Sequence, residues 1–171
     1  WDTTVGWRFN NPKMDEMYPI VSLGEGAEII AEEMQISRED QDSYSLESHT
    51  RAIAAINDGK FEDEIIPISV PQRRGDPVIV DTDEHPRYEK TDGAYELAID
   101  TESLGKLRPA FKKAGSVTAG NSSGINDGAA ALLLASREKA DALGLKPLLR
   151  WVGSASAGTE PGHFAYGPIP A

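Results

Sequence analysis

The chain is 171 residues long, enough to bury a sizeable core as one domain or to divide into two smaller units. Its 28 Asp and Glu against 17 Lys and Arg give a net charge of -11, which argues against a general nucleic-acid or anionic-membrane surface but leaves room for an anionic ligand at a local basic cluster. There is no cysteine, so these residues carry no disulfide framework, no thiolate metal site and no cysteine nucleophile. No apolar run approaches membrane-span length, and the start lacks the basic-then-apolar pattern of a signal peptide, so a cytoplasmic location is expected. A chain that opens on Trp1 and stops after Pro168-Ile169-Pro170-Ala171 reads as an interior piece of a longer protein.

Residues 1–19 are rich in aromatic residues, Asn, Pro and Met with weak periodicity, and predict irregular or short extended structure. Exposed Trp1, Trp7 and Phe9 would suit packing against a partner. Ala27, Ile30, Ala31 and Met34 recur at helical spacing and predict a helix over Gly26 to Gln35. Ser37 then serves as an N-cap, with acids in the first turn where the helix dipole favours negative charge, and Gly59 suits the C-terminal cap. Leu46, Ala52, Ile53 and Ile56 form that helix's apolar stripe, with His49 expected half-exposed.

Phe61 and Ile65 to Ile68 predict a short strand with Pro67 at an edge or bulge, and Val78 to Val80 a second. Asp81, Asp83 and His85 hint at calcium-loop spacing, but Pro86 replaces the needed glycine and no distal Glu follows in register, so no metal site is predicted. Leu104 to Leu107 reads as a short helix before Pro109, Gly128 to Ala135 as a buried strand, and Arg137 to Leu143 as a helix capped by Ser136 and ended by Gly144. Leu148 to Ser156 reads as a further strand, making a βαβ unit, and His163 and Phe164 fall in a Gly- and Pro-rich tail.

The stretch from Lys106 to Ala131 joins a basic island (Lys106, Arg108, Lys112, Lys113) to a strand-like Ser116-Val117-Thr118-Ala119 and a turn of glycines and small polar residues. Three readings stay open on the residues alone. Gly120-Asn121-Ser122-Ser123-Gly124 formally fits G-x-S-x-G, the nucleophile elbow of serine hydrolases, which would make Ser122 the nucleophile, His163 its base and Glu160 or Asp141 the acid. A second reading is a Gly-rich connection without a ligand. In the third, the turn holds part of a phosphate- or amide-bearing ligand.

Residues 107–148, LRPAFKKAGSVTAGNSSGINDGAAALLLASREKADALGLKPL, resemble the segment of thiolases that closes the coenzyme A loop domain and re-enters the core. Residues 24–68 are similar to that family's run of loop-domain helices and strand, Asp83-Glu84-His85-Pro86-Arg87 resembles its DE-x-x-R, and Gly167 to Ala171 resembles its G-P-[IV]-P-A. Residues 1–14 resemble the loop that precedes the acyl-CoA groove in some degradative members, whereas TDGAYELAID between Arg87 and Ser103 looks inserted relative to short biosynthetic ones. The resemblance implies an α/β fold: an α+β loop domain for coenzyme A over 1–124, the last strand and helix of the N-terminal core half over 125–145, and the start of the C-terminal half over 146–171. It implies acyl transfer between 3-oxoacyl-CoA and coenzyme A, with acyl-CoA and CoA as substrates, no tightly bound cofactor, and a homodimer or homotetramer for the full-length protein.

By the same resemblance Arg87 lies against the adenine, Ser103 near the nucleotide, and Phe111, Ala110, Ala119 and Leu23 wall the pantetheine tunnel. Ser123 then bonds an amide of the pantetheine arm, and Phe164 borders the acyl pocket. The catalytic cysteines and histidine of the family have no counterpart in these residues, so the piece alone is expected to be inactive and to bind CoA weakly. The rival reading is a noncatalytic thiolase-like protein that binds lipid or acyl-CoA.

Overall fold

The computed structural model of the chain describes residues 9–171, so the expected partner-facing Trp1 and Trp7 lie outside the described residues. In chain order the elements are α1 (Pro12–Asp15), α2 (Leu23–Glu33), α3 (Arg38–Asn57), β1 (Ile68–Val70), β2 (Val78–Val80), β3 (Tyr88–Thr91), β4 (Ala94–Leu97), α4 (Thr101–Gly105), α5 (Arg137–Ala142) and a closing 3₁₀ segment (Pro161–Tyr166). The strands form two antiparallel hairpins, β1 with β2 and β3 with β4. Helix α3 is the centre of the domain and packs on β4 and α4, while α2 packs on the 3₁₀ segment.

Local chemistry explains the helix boundaries. Ser22 Oγ accepts the Glu25 N–H at 3.3 Å while Glu25 Oε2 accepts the Ser22 N–H at 2.7 Å, a capping box that starts α2 three residues before the predicted Gly26. Ser37 Oγ accepts the Asp40 N–H at 3.0 Å at the start of α3, and Gly59, at φ +68°, turns the chain away after its end. The face that α3 buries carries Asp42, His49 and Ile53. His49 is only 8% exposed rather than half-exposed, because its Nδ1 accepts the Arg87 N–H at 3.3 Å and so fills a buried polar role.

The second hairpin is the feature behind the apparent insertion at TDGAYELAID. Asp92 and Gly93 both take positive φ, 51° and 90°, the backbone that a two-residue turn needs to match the twist of its flanking strands. Asn57 ties this hairpin to α3, donating Nδ2 to the Tyr95 carbonyl at 2.8 Å and accepting the Tyr95 N–H on Oδ1 at 2.9 Å. Tyr88 meets Tyr95 edge-on with ring centroids 4.8 Å apart.

Several expected elements differ. Strand β1 starts at Ile68 rather than Ile65, since the chain is still turning at Phe61, whose carbonyl accepts from Glu64 and Ile65. Helix α4 spans Thr101–Gly105 rather than Leu104 to Leu107, because Asp100 caps it. The Ser116 to Ala119 run forms one isolated bridge, Pro109 to Thr118, instead of a strand. The two apolar runs at Gly128 to Ala135 and Leu148 to Ser156 are not strands, so the βαβ unit is not formed around α5. An apolar run becomes a strand only when a neighbour takes up its N–H and C=O groups. Among the described residues no strand lies alongside either, and Leu132 and Leu149 stand 88% and 93% exposed. Helix α5 itself is as expected, capped by Ser136 and ended by Gly144 at φ +65°. Among the described residues no helix is long and apolar enough to cross a membrane.

Candidate functional site

The glycine-rich turn is fastened to α2 and α3 by side chains buried between them. Glu28 of α2, 4% exposed, accepts the Ser116 N–H on Oε2 at 2.9 Å and the Val117 N–H on Oε1 at 2.8 Å. Gly115 leaves room for this carboxylate, since a Cβ there would fall 2.1 Å from Oε1. Asn121 closes the turn from inside: Oδ1 accepts the Thr118 N–H at 2.7 Å, and Nδ2 donates to the Ser116 carbonyl at 3.1 Å and to Asp42 Oδ1 at 2.9 Å. Asp42 is held in turn by Arg38 Nε at 2.7 Å, and Arg38 Nη2 donates to the Leu104 carbonyl at 2.6 Å. Ser45 Oγ donates to the Gly120 carbonyl at 2.7 Å and Gln41 Nε2 to Ser116 Oγ at 2.8 Å. A turn with this many fixed backbone groups has one shape.

The outer surface of this turn borders an open cleft of about 1110 Å³, whose other sides come from the first turns of α2, Phe111 and the 3₁₀ segment. Four of the residues predicted from the sequence meet in it: Leu23, Phe111, Ser123 and Phe164. Most of its lining is apolar, and Ser22, Gln41, Asn121, Ser122 and Ser123 supply its polar groups. Ser123 is exposed, with its hydroxyl bonded to no other described residue.

The other predicted residues lie elsewhere. Arg87 borders a separate hollow of about 430 Å³ with Glu84, Pro86, Tyr88, Ala98 and Ile99. Its Nη2 donates to the Ala119 carbonyl at 3.0 Å, so Arg87 and Ala119 are joined to each other on a side of the turn that does not line the main cleft. Ala110 is exposed and lines neither cavity, though its N–H bonds the Val117 carbonyl at 2.9 Å. Ser103 completes the cap of α4, donating to the Asp100 carbonyl at 2.9 Å and accepting the Asp100 N–H at 3.0 Å. In the basic island Lys106 pairs with Glu102 and Lys112 with Glu32, while Arg108 and Lys113 have no ion-pair partner among the described residues.

The serine-hydrolase geometry is not built. Ser122 Oγ donates to the Thr118 carbonyl at 2.6 Å, and no helix starts directly after it. His163 pairs with Glu33 through Nε2 at 2.9 Å, and that hydrogen bond raises the imidazole's pKa and lowers the carboxyl's. Burial lowers the pKa of His49, with the charges of His85 and Arg87 acting in the same sense. Among the described residues no group of His, Asp and Glu is arranged to hold a metal ion.

Sequence reasoning missed Glu28, Asp42 and Asn121 as the anchors of the turn, Gly24 as part of the cleft lining, and Gly26 as the seat of the Phe164 ring. The available signal was two glycines in the first turn of α2, where each costs about 1 kcal/mol of helix propensity relative to alanine.

Fold and cleft together describe an α/β-class module in which a polar turn fastened from behind faces a largely apolar cleft. The chain belongs to the thiolase family: residues 9–138 match the family model described as the thiolase N-terminal domain. It is 46% identical over 170 residues to the beta-ketoadipyl-CoA thiolase of Acinetobacter baylyi, covering 99% of this chain and 40% of that protein. It is 49% identical over 161 residues to an acetyl-CoA acetyltransferase of Chromobacterium violaceum, covering 94% of this chain and 39% of that one. The crystal structure of the Bacillus anthracis acetyl-CoA acetyltransferase superposes with a TM-score of 0.80 at 42% identity, over 96% of this chain and 41% of that structure. The chain thus spans about 40% of the length of the curated relatives it matches.

Proposed function

We propose that this chain supplies the coenzyme A-gripping part of a thiolase, which transfers an acyl group between 3-oxoacyl-CoA and coenzyme A. The observation that carries the reading is the meeting of Leu23, Phe111, Ser123 and Phe164 in one groove beside a turn whose backbone is fixed from behind. The pantetheine arm is long, slender and mostly apolar with two amides, which matches an apolar groove holding few polar groups. In this reading the free Ser123 hydroxyl bonds an amide of the arm, and Leu23 and Phe111 flank its methylenes. Arg87, exposed and fixed by the Ala119 carbonyl beside its own hollow, offers its guanidinium to the adenine or phosphates. The nucleophile and proton-transfer groups come from outside these 171 residues, which contain no cysteine. The apolar runs around Leu132 and Leu149 are covered by the rest of the thiolase core in the complete enzyme, which acts as a dimer or tetramer.

The test is thiolysis of acetoacetyl-CoA by the complete polypeptide carrying this segment, with Ser123→Ala compared against wild type. Turnover is expected, with S123A raising KM for CoA severalfold. Absence of turnover with every 3-oxoacyl-CoA tried, or submicromolar CoA binding by the isolated chain, would overturn the proposal.

A further inference from the structure

The floor of the cleft is the α2 stripe made by Leu23, Ala27 and Ile30. At about 100° per residue, Gly24 and Gly26 stand on opposite shoulders of that stripe. Each shoulder carries an aromatic ring. A Cβ on Gly24 would meet the Phe111 ring carbons at 2.4 Å, and one on Gly26 would meet Phe164 Cζ at 2.7 Å. Both rings therefore lie directly on helix backbone, which only a residue without a side chain permits. The two sides of the cleft differ in chemistry: the turn contributes Asn121, Ser122 and Ser123, whereas the 3₁₀ segment contributes Pro161, Phe164 and Ala165.

We infer that Gly26 is a specificity-determining position for the acyl group, because its bare shoulder fixes how far Phe164 intrudes on the apolar side of the cleft. This rests on the thiolase reading above. The segment behind the ring is held in place: Glu33 pairs with His163 Nε2 at 2.9 Å and accepts from the Tyr166 hydroxyl at 3.2 Å, and Gly162 sits close to Pro19 and Ile29. A methyl group at position 26 drives the ring from 2.7 Å toward the 3.4 Å of ordinary contact. With its backbone tethered, the ring has to turn off the shoulder, and the apolar side of the cleft that it lines changes shape. The room left for the acyl group changes with it.

The experiment compares wild type, Gly26→Ala, Phe164→Ala and the double variant in the complete enzyme. It measures kcat/KM for 3-oxooctanoyl-CoA and for acetoacetyl-CoA. G26A is expected to shift the long-to-short ratio by about tenfold, the discrimination that one or two methylenes of pocket space provide. In the F164A background G26A changes nothing further, since no ring remains to be displaced. An unchanged ratio in G26A, or an equal change with and without the Phe164 ring, overturns the inference. Should G26A fail to fold, F164L against G26A/F164L carries the same comparison, and an unchanged ratio there overturns it equally. A wild-type enzyme without turnover sinks the thiolase reading itself and this inference with it, whereas an active enzyme with an unmoved ratio sinks only the role of Gly26.

Discussion

Replacing Glu28 with alanine removes the carboxylate that receives two adjacent backbone N–H groups of the glycine-rich turn, those of Ser116 and Val117. Val117 is 6% exposed, so water does not replace the lost acceptor there, while Ser116 is half-buried and recovers part of its bond from solvent. An orphaned buried donor costs about 1–3 kcal/mol, so the pair together loses about 2–4 kcal/mol. That is a large share of the roughly 5–15 kcal/mol that holds a domain together. Gly115→Ala attacks the same contact from the other side, because its methyl group occupies the place of Glu28 Oε1. The assay is urea denaturation of the single and double variants, with amide exchange at Val117 as a local reporter. E28A and G115A each lower the midpoint, Val117 exchange quickens, and G115A becomes close to neutral once Glu28 is gone. A cost below about 1 kcal/mol for E28A, less than one unpaired buried donor, refutes the claim that this carboxylate holds the turn. Strict additivity of the two substitutions would refute the shared contact.

Thr118, 0% exposed, accepts the Gly120 and Asn121 N–H groups on Oγ1 at 3.1 and 3.3 Å, so Thr118→Val keeps its shape and costs about 1–3 kcal/mol by denaturation. Gly93→Ala places a methyl group at φ +90° in the β3–β4 turn and costs about 1 kcal/mol, read as a lower melting temperature. The two perturbed histidines respond to pH in opposite senses. His49 has a lowered pKa, so its contribution is full above the ordinary value of about 6.5 and is lost as pH falls through the lowered one, when protonation of Nδ1 expels the Arg87 N–H. His163 has a raised pKa, so its pairing with Glu33 contributes fully below about 6.5 and fades as pH rises through the raised value. Proton NMR titration of the imidazole C–H resonances separates the two, and a His49 that titrates above His163 is incompatible with the two directions taken together.

Much of the helical framework was legible because its signals are local. Ser37, Ser136, Gly59 and Gly144 mark helix ends by hydrogen bonds and left-handed backbone that involve only their own neighbours. The start of α2 was hidden because Gly24 and Gly26 dilute the apolar period there, and their reason for being glycine is two aromatic rings distant in sequence. The β3–β4 hairpin carried its Asp92-Gly93 turn in plain sight, yet length relative to shorter family members suggested an insertion. Strand status at Gly128 to Ala135 was illegible in principle, since it depends on a ladder partner and not on the run itself. At the site, Leu23, Phe111, Ser123 and Phe164 could be named from family resemblance and meet in the cleft, whereas Glu28, Asp42 and Asn121 act through buried bonds to backbone far along the chain, which no local pattern announces.

The seats of the rings lie in the first turn of α2, while the anchors of the turn lie further along α2, on α3 and within the turn itself. Glu28, Asp42 and Asn121 shape the turn through hydrogen bonds, while Gly24 and Gly26 make room for the Phe111 and Phe164 rings by steric vacancy. Substitution at the glycines leaves every polar tether intact, so the lineage can retune what the groove admits by small changes of volume without relearning how to hold the turn. Diversification of such a domain is cheap on one flank and forbidden on the other.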